Sequence, residues 1–233
     1  MCGVLGITIA DFNEKDYELV RNLFIQSMIR GKHATGVSYV KNGKVHTIKD
    51  PIPADKFISK QILETWKNED GNLYCIGHVR YSTSDLRFNQ PFSTDELGIV
   101  HNGVISQEPP STWLQLFGYE TETANDSELI LKAYENNDNP LEIFNLASMA
   151  VCVLHADKRL SAFRNHERPL YYYSDERTTI FASTKDILAR SGFLTKTKTR
   201  MFEIYNVNNF KLSHFEVADD KWLKETFNIE DLQ

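Results

Sequence analysis

The apolar residues of this chain fall into short runs separated by turn residues, and this patterning limits its fold more than any other feature. Residues 4–10 form a buried strand by length and β-branched content, with Gly3 and Gly6 at its start. Residues 36–40 and 44–48 flank Asn42-Gly43, a strong hairpin signal. Further strands are expected at 73–79, 97–100, 147–154, 160–164, 170–173 and 179–182, with a last hairpin of 201–207 and 210–215 around Asn208-Asn209. Helical spacing is rarer. Tyr17, Val20, Leu23, Phe24 and Met28 give an amphipathic helix over 16–29. Helices are also expected from Pro53 to about residue 66, over 126–134 and over 185–191. Many short strands mixed with helices, and no linker or repeat between two halves, make a single α+β domain. That domain is expected to span 1–215, followed by an acidic tail at 216–233 that is either a surface helix or loose.

Composition excludes several classes. With 41% hydrophobic and 25% charged residues the chain is ordinary globular protein rather than disordered or fibrous. A net charge of −6 argues against direct nucleic-acid binding. No apolar stretch approaches the ~18 residues of a membrane span, and the N-terminus lacks the basic start of a secretory signal. Three cysteines without a CxxC pair make neither a disulfide framework nor a zinc site, so a reducing cytoplasm is the expected location. No HExxH, GxxxxGK[ST] or GxGxxG motif occurs, so neither a metal nor a nucleotide cofactor is expected.

Four places carry residues capable of chemistry, and each also has an ordinary structural use. Cys2 is either a small buried hydrophobe or, once Met1 is removed, an N-terminal residue that brings its own base, an α-amine with a typical pKa of about 8. Thiol and amine together are the pair that amide cleavage needs. Arg80, at a strand end beside Tyr81, Ser82, Thr83 and Ser84, is either a solvated arginine or a fork for a carboxylate. Asn102-Gly103 is either a turn or an oxyanion hole made of a side-chain amide and a backbone N–H. Asp126 either caps the helix it precedes or holds an ammonium group.

Read in order, these segments resemble the class II glutamine amidotransferases, the glutaminase domains of the N-terminal-nucleophile hydrolases. The likeness rests on Cys2-Gly3-Val4-Leu5-Gly6, on Arg30-Gly31-Lys32-His33-Ala34-Thr35-Gly36 and on Gly77-His78-Val79-Arg80-Tyr81-Ser82-Thr83. It continues through Asn89-Gln90-Pro91-Phe92, His101-Asn102-Gly103-Val104-Ile105, Asn125-Asp126-Ser127-Glu128 and Phe181-Ala182-Ser183. The resemblance implies a four-layer αββα sandwich that needs no metal or cofactor. It makes Cys2 the nucleophile, Asn102 and Gly103 the oxyanion hole, Arg80 the partner of the glutamine α-carboxylate and Asp126 that of its α-amino group. Tyr81 and Thr83 would line the same pocket, with Arg30, Asn89 and Gln90 in support. Two positions depart from the pattern: His33 stands where the family usually has an acidic residue, and Ser84 where some branches have histidine.

The implied reaction hydrolyses L-glutamine to glutamate and ammonia through a Cys2 thioester. No synthase signature accompanies it, so a separate ammonia-accepting synthase is the expected partner, and any nucleic-acid contact would be that partner's task. The alternatives are a free-standing hydrolase of another γ-glutamyl amide and a non-catalytic glutamine-binding subunit. Tyr171-Tyr172-Tyr173 and Trp113-Leu114 with Leu116-Phe117 are candidate docking stretches, although stretches of this kind are more often ordinary core.

Overall fold

The computed structural model describes residues 2–82, 88–165 and 168–193, with the backbone of two further strands at Met201–Glu203 and Ser213–Phe215. Strand β1 (Gly3–Ile9) is buried along its whole length and lies between β4 (Leu73–Arg80) and β10 (Thr178–Ala182), antiparallel to both. The hairpin β2 (Ala34–Lys41) and β3 (Lys44–Asp50) extends this sheet on the β4 side. Its turn residues, Asn42 and Gly43, both have positive φ (52° and 68°), as a two-residue primed turn requires. On the other side come β9 (Tyr171–Ser174) and β11 (Met201–Glu203), which complete seven strands in the order β11-β9-β10-β1-β4-β2-β3.

A second sheet has five strands, ordered β12 (Ser213–Phe215), β8 (Leu160–Arg164), β7 (Ser148–His155), β6 (Leu97–Val104) and β5 (Phe92–Ser93). Alternation along β1 shows how the layers form. Leu5, Ile7 and Ile9 face a core shared with helices α1 (Glu14–Ser27), α2 (Ala54–Phe57), α3 (Lys60–Thr65) and α7 (Lys185–Arg190). Val4 faces the opposite way, into a core between the sheets that includes Ile76, Val100, Cys152 and Phe181. A third core packs α4 (Trp113–Phe117), α5 (Glu128–Glu135) and α6 (Pro140–Ile143) on the far face of the second sheet, around Ile99, Val151 and Phe163. The result is the expected four-layer αββα sandwich.

Several elements differ from the expectation, each for a physical reason. The strand expected at 97–100 runs on to Val104, because Asn102-Gly103 pairs with β7 as extended backbone instead of turning. Residues 54–66 hold two short helices, since Ile58 is extended (φ −88°, ψ 108°) and the Ser59 hydroxyl then accepts the Ile62 N–H at 3.2 Å to start the second. The fifth helix begins at Glu128, leaving Asp126 in the turn before it. The last two strands do not form a hairpin: β11 pairs with β9 in one sheet and β12 with β8 in the other. Each sheet has an open edge there, and edge pairing prevails over the turn signal of Asn208-Asn209, which lies outside the described residues. The tail at 216–233 lies outside them as well. Of the two candidate docking stretches, Tyr172, Tyr173 and Trp113 are core, while Leu114 and Leu116 are exposed.

Helix α1 starts with a capping box, in which the Asn13 N–H donates to Asp16 Oδ2 at 2.9 Å. Its buried Phe24 packs against Gly77, where a Cβ would meet the ring at 2.4 Å. Phe24→Ala should therefore cost about 3–5 kcal/mol. That is roughly 10 °C in Tm for a chain of this size, read by thermal unfolding; a shift of one or two degrees would show that the helix layer does not depend on this contact.

Candidate active site

The ends of β1, β4 and β6 meet at a pocket of about 620 Å³. Cys2, Arg80, Tyr81, Asn102, Gly103 and Asp126 all line it, and so does Gln90. Arg30 and Asn89 lie behind these residues, and Thr83 falls outside the described residues. These lining residues come from five segments of the chain and converge on one cavity.

Cys2 is half-buried and its main chain is held from two sides. Its N–H donates to Asn102 Oδ1 at 3.2 Å, and Arg30 Nε donates to its carbonyl at 3.2 Å. With Oδ1 engaged, Asn102 Nδ2 is left buried without a partner. A buried unpaired donor costs about 1–3 kcal/mol and calls for an explanation. The next residue can only be glycine: a Cβ on Gly103 would lie 1.8 Å from the Ser148 carbonyl oxygen and 2.6 Å from His101 Nε2.

Arg80 is 8% exposed, and its Nη1 donates to the Phe88 carbonyl and to Asn89 Oδ1, both at 2.8 Å. The loop it grips is fixed from other directions too. Asn125 Nδ2 donates to the Phe88 carbonyl at 2.9 Å, and Lys49 Nζ donates to the carbonyls of Asn89 (2.8 Å) and Pro91 (3.0 Å). Burial pushes the Lys49 pKa down. Gly36 lets the loop approach β2, since a Cβ there would sit 2.1 Å from the Gln90 carbonyl oxygen.

Gln90 ties this loop to both other parts of the site. Its Nε2 donates to the His101 carbonyl (3.1 Å) and to Ser127 Oγ (3.0 Å), and its Oε1 accepts the His101 N–H (2.6 Å). The Ser148 carbonyl can only accept, so the single proton of a neutral His101 ring sits on Nε2 and Nδ1 accepts from Ser127 Oγ at 2.8 Å. His101 Nε2 then carries the ring proton and donates to the Ser148 carbonyl at 3.3 Å. This is a neutral imidazole, in keeping with the burial that lowers its pKa. Asp126 Oδ2 accepts the N–H groups of Ile105 (2.6 Å) and Ser106 (3.2 Å) and makes no cap to helix α5. At the rim, the Ser82 N–H donates to His33 Nδ1 at 2.8 Å, so His33 supplies the acceptor that a carboxylate would supply there. Tyr81 is more than half exposed beside it.

Sequence reading gave no role to His78, Lys49, Ser127 or Arg168. His78 and Ser127 lie within the quoted motifs, where burial is invisible; Lys49 and Arg168 resemble surface charges. His78 lines the pocket with its Nε2 buried and unpartnered, and burial first, then Arg80 and His101, push its pKa down to about 3. An unfolded histidine titrates near 6.5, so the folded state loses stability as pH falls below that value toward 3. Between pH 6.5 and 5 this amounts to up to about 2 kcal/mol. Tm measured across that interval should fall, and should fall less in His78→Gln; equal slopes would show that His78 is not buried neutral.

A two-sheet sandwich flanked by helices, with a thiol at the head of a central strand, defines an N-terminal-nucleophile hydrolase architecture. Comparison with known proteins agrees. Residues 78–190 match the family described as the glutamine amidotransferase domain. The glutamine–fructose-6-phosphate aminotransferase of Bartonella henselae is 29% identical over 158 residues, 61% of this chain and 24% of that protein. A putative glutamine-hydrolysing asparagine synthetase of Methanocaldococcus jannaschii is 32% identical over 183 residues, 66% of this chain and 33% of the relative. The amidotransferase structure from B. subtilis that acts on glutamine and phosphoribosyl pyrophosphate superposes with a TM-score of 0.61 at 18% identity, over 82% of this chain and 44% of that one. The chain is thus similar, over residues 78–190 and in its fold, to glutamine amidotransferase domains. It spans a third or less of the length of these two curated relatives.

Proposed function

We propose that this domain hydrolyses the side-chain amide of L-glutamine and delivers the ammonia to a separate synthase protein. The observation that carries the reading is the unpartnered, buried Nδ2 of Asn102 beside Cys2. A donor held in that state suits a negative charge that exists only during reaction, since it needs no reorganisation when the charge arrives.

Removal of Met1 frees the Cys2 α-amine. A neutral amine can keep one N–H on Asn102 Oδ1 and still have a lone pair for the thiol proton. The thiolate attacks the side-chain carbonyl carbon (Cδ) of glutamine, and the oxyanion is received by Asn102 Nδ2 and the Gly103 N–H. The amine returns the proton to the leaving nitrogen, ammonia departs, and water releases glutamate from the thioester. Arg80, which lines the pocket, binds the α-carboxylate. Asp126 binds the α-ammonium, its Oδ2 steadied by two backbone N–H groups. Tyr81 lines the substrate, as the resemblance implies for Thr83, and Arg30, Asn89 and Gln90 hold Cys2, Arg80 and the loop in place.

Cytoplasmic location fits this reading: Cys2, Cys75 and Cys152 are all free, and burial pushes the thiols of the latter two well up. Among the described residues no helix is long and apolar enough to cross a membrane.

The test is glutamate release from L-glutamine by protein whose intact mass confirms loss of Met1. Cys2→Ala should fold, bind glutamine and release none; turnover near wild type in that variant would remove Cys2 from the role. Asn102→Ala should lower kcat by about 10²–10³-fold with a smaller change in KM. A change confined to KM would mean that the amide binds substrate rather than the oxyanion.

A further inference from the structure

The pocket contains one more cation than glutamine needs. Arg168 lines it together with Cys2 and Gly103, and its Nε is buried without a partner. Asn165 fastens its segment to β7: the Asn165 N–H donates to the Met149 carbonyl at 3.0 Å, and the Met149 N–H returns a bond to Asn165 Oδ1 at 3.1 Å. Met149 is the register partner of Gly103, so Arg168 is anchored on the oxyanion-hole side of Cys2. Its charge bears on Arg30, which holds the Cys2 carbonyl, and on His101. Arg80 and Asp126 are anchored elsewhere, on the loop at 88–89 and the N–H groups of residues 105–106.

Glutamine bound as proposed engages Arg80 with its only carboxylate and Asp126 with its ammonium. Its leaving group is a neutral ammonia and offers Arg168 nothing. A partly buried guanidinium close to another is costly unless an anion joins it. A cavity of about 620 Å³ also falls in the range that holds drug-sized ligands, larger than a single small amino acid.

We infer that Arg168 holds a carboxylate on the amine part of a γ-glutamyl amide, so that the site cleaves γ-glutamyl amino acids as well as glutamine. This rests on the Cys2 chemistry proposed above. The thiolate forms the S–C bond to the γ-glutamyl carbonyl carbon (Cδ), and the C–N bond to the second amino acid breaks. The Cys2 amine gives the thiol proton to that nitrogen. The amino acid leaves with its carboxylate on Arg168, and water splits the thioester to glutamate and free thiol.

The experiment compares kcat/KM for L-glutamine, γ-glutamylglycine and γ-glutamylethylamide, the last matching γ-glutamylglycine in length but lacking its carboxylate. Wild-type protein checked for loss of Met1 should prefer γ-glutamylglycine to the ethylamide by about tenfold or more, the scale of one hydrogen bond to a charged group. The preference should collapse toward unity in Arg168→Gln and persist in part in Arg168→Lys. Equal rates on the two amides in wild type would overturn the inference whatever the variants do. So would a proportionate loss on all three substrates in Arg168→Gln, which would assign Arg168 a general part at Cys2. Glutamine turnover without the carboxylate preference sinks this inference alone; failure to cleave any of the three sinks the Cys2 reading with it.

Discussion

The hydrogen bond from the Cys2 N–H to Asn102 Oδ1 joins the head of a central strand in one sheet to a strand of the other, and it fixes two things at once. It sets the separation between the thiol-bearing residue and the amide. It also sets the orientation of that amide, because a flipped Asn102 would place Nδ2 against the Cys2 N–H, donor facing donor. The unpartnered Nδ2 is therefore enforced by geometry. The protein carries the cost of an unmet buried donor at the one point where a transient negative charge could use it.

The charged residues around this point are buried under the same discipline. Arg80 and Lys49 each donate to two oxygen acceptors, three of the four being backbone carbonyls of the loop at 88–91. Neutral carbonyls satisfy a cation's donors without cancelling its charge, so these bonds fix the loop around both cations. Gln90 then carries the position of the loop to His101 and Ser127, the immediate neighbours of Asn102 and Asp126. The residues proposed for the two ends of glutamine are thus linked by one buried network rather than placed independently.

How much of this was legible in the sequence depends on the range of the interaction. The Asn42-Gly43 turn and the spacing of Tyr17, Val20 and Phe24 are local signals, and both elements form with ends shifted by one or two residues. Asn102-Gly103 was ambiguous because its strand conformation depends on β7, which follows in sequence only after about forty residues. The misread last hairpin has the same origin, since the edges that capture β11 and β12 belong to strands in different sheets. The pocket residues were recognisable as a set through ordered motifs, whereas Lys49 and Arg168 were not. A lysine in an exposed-looking hairpin and an arginine in a polar run give no sign of burial until the fold brings the loop and the pocket to them.

The division of the site between two sheets makes the spacing of those sheets part of its chemistry. Cys2 belongs to the seven-stranded sheet, Asn102 and Gly103 to the five-stranded one, and the core between them is kept thin by small residues. A Cβ at Gly6 would meet Cys152 Sγ at 3.1 Å and Leu160 at 3.3 Å; one at Gly98 would meet Ser38 Oγ at 3.0 Å. These contacts lie well inside the sandwich, yet each acts as a spacer between the layer that carries the thiol and the layer that carries the amide. A packed interior transmits such changes instead of absorbing them. A hydrogen bond of 3.2 Å across the layers tolerates little separation before the Cys2 N–H and Asn102 Oδ1 part and the amide is free to turn. The glycines of β1 and β6 are thus as much a condition of the site as the side chains that line it, because they set the distance at which its two halves meet.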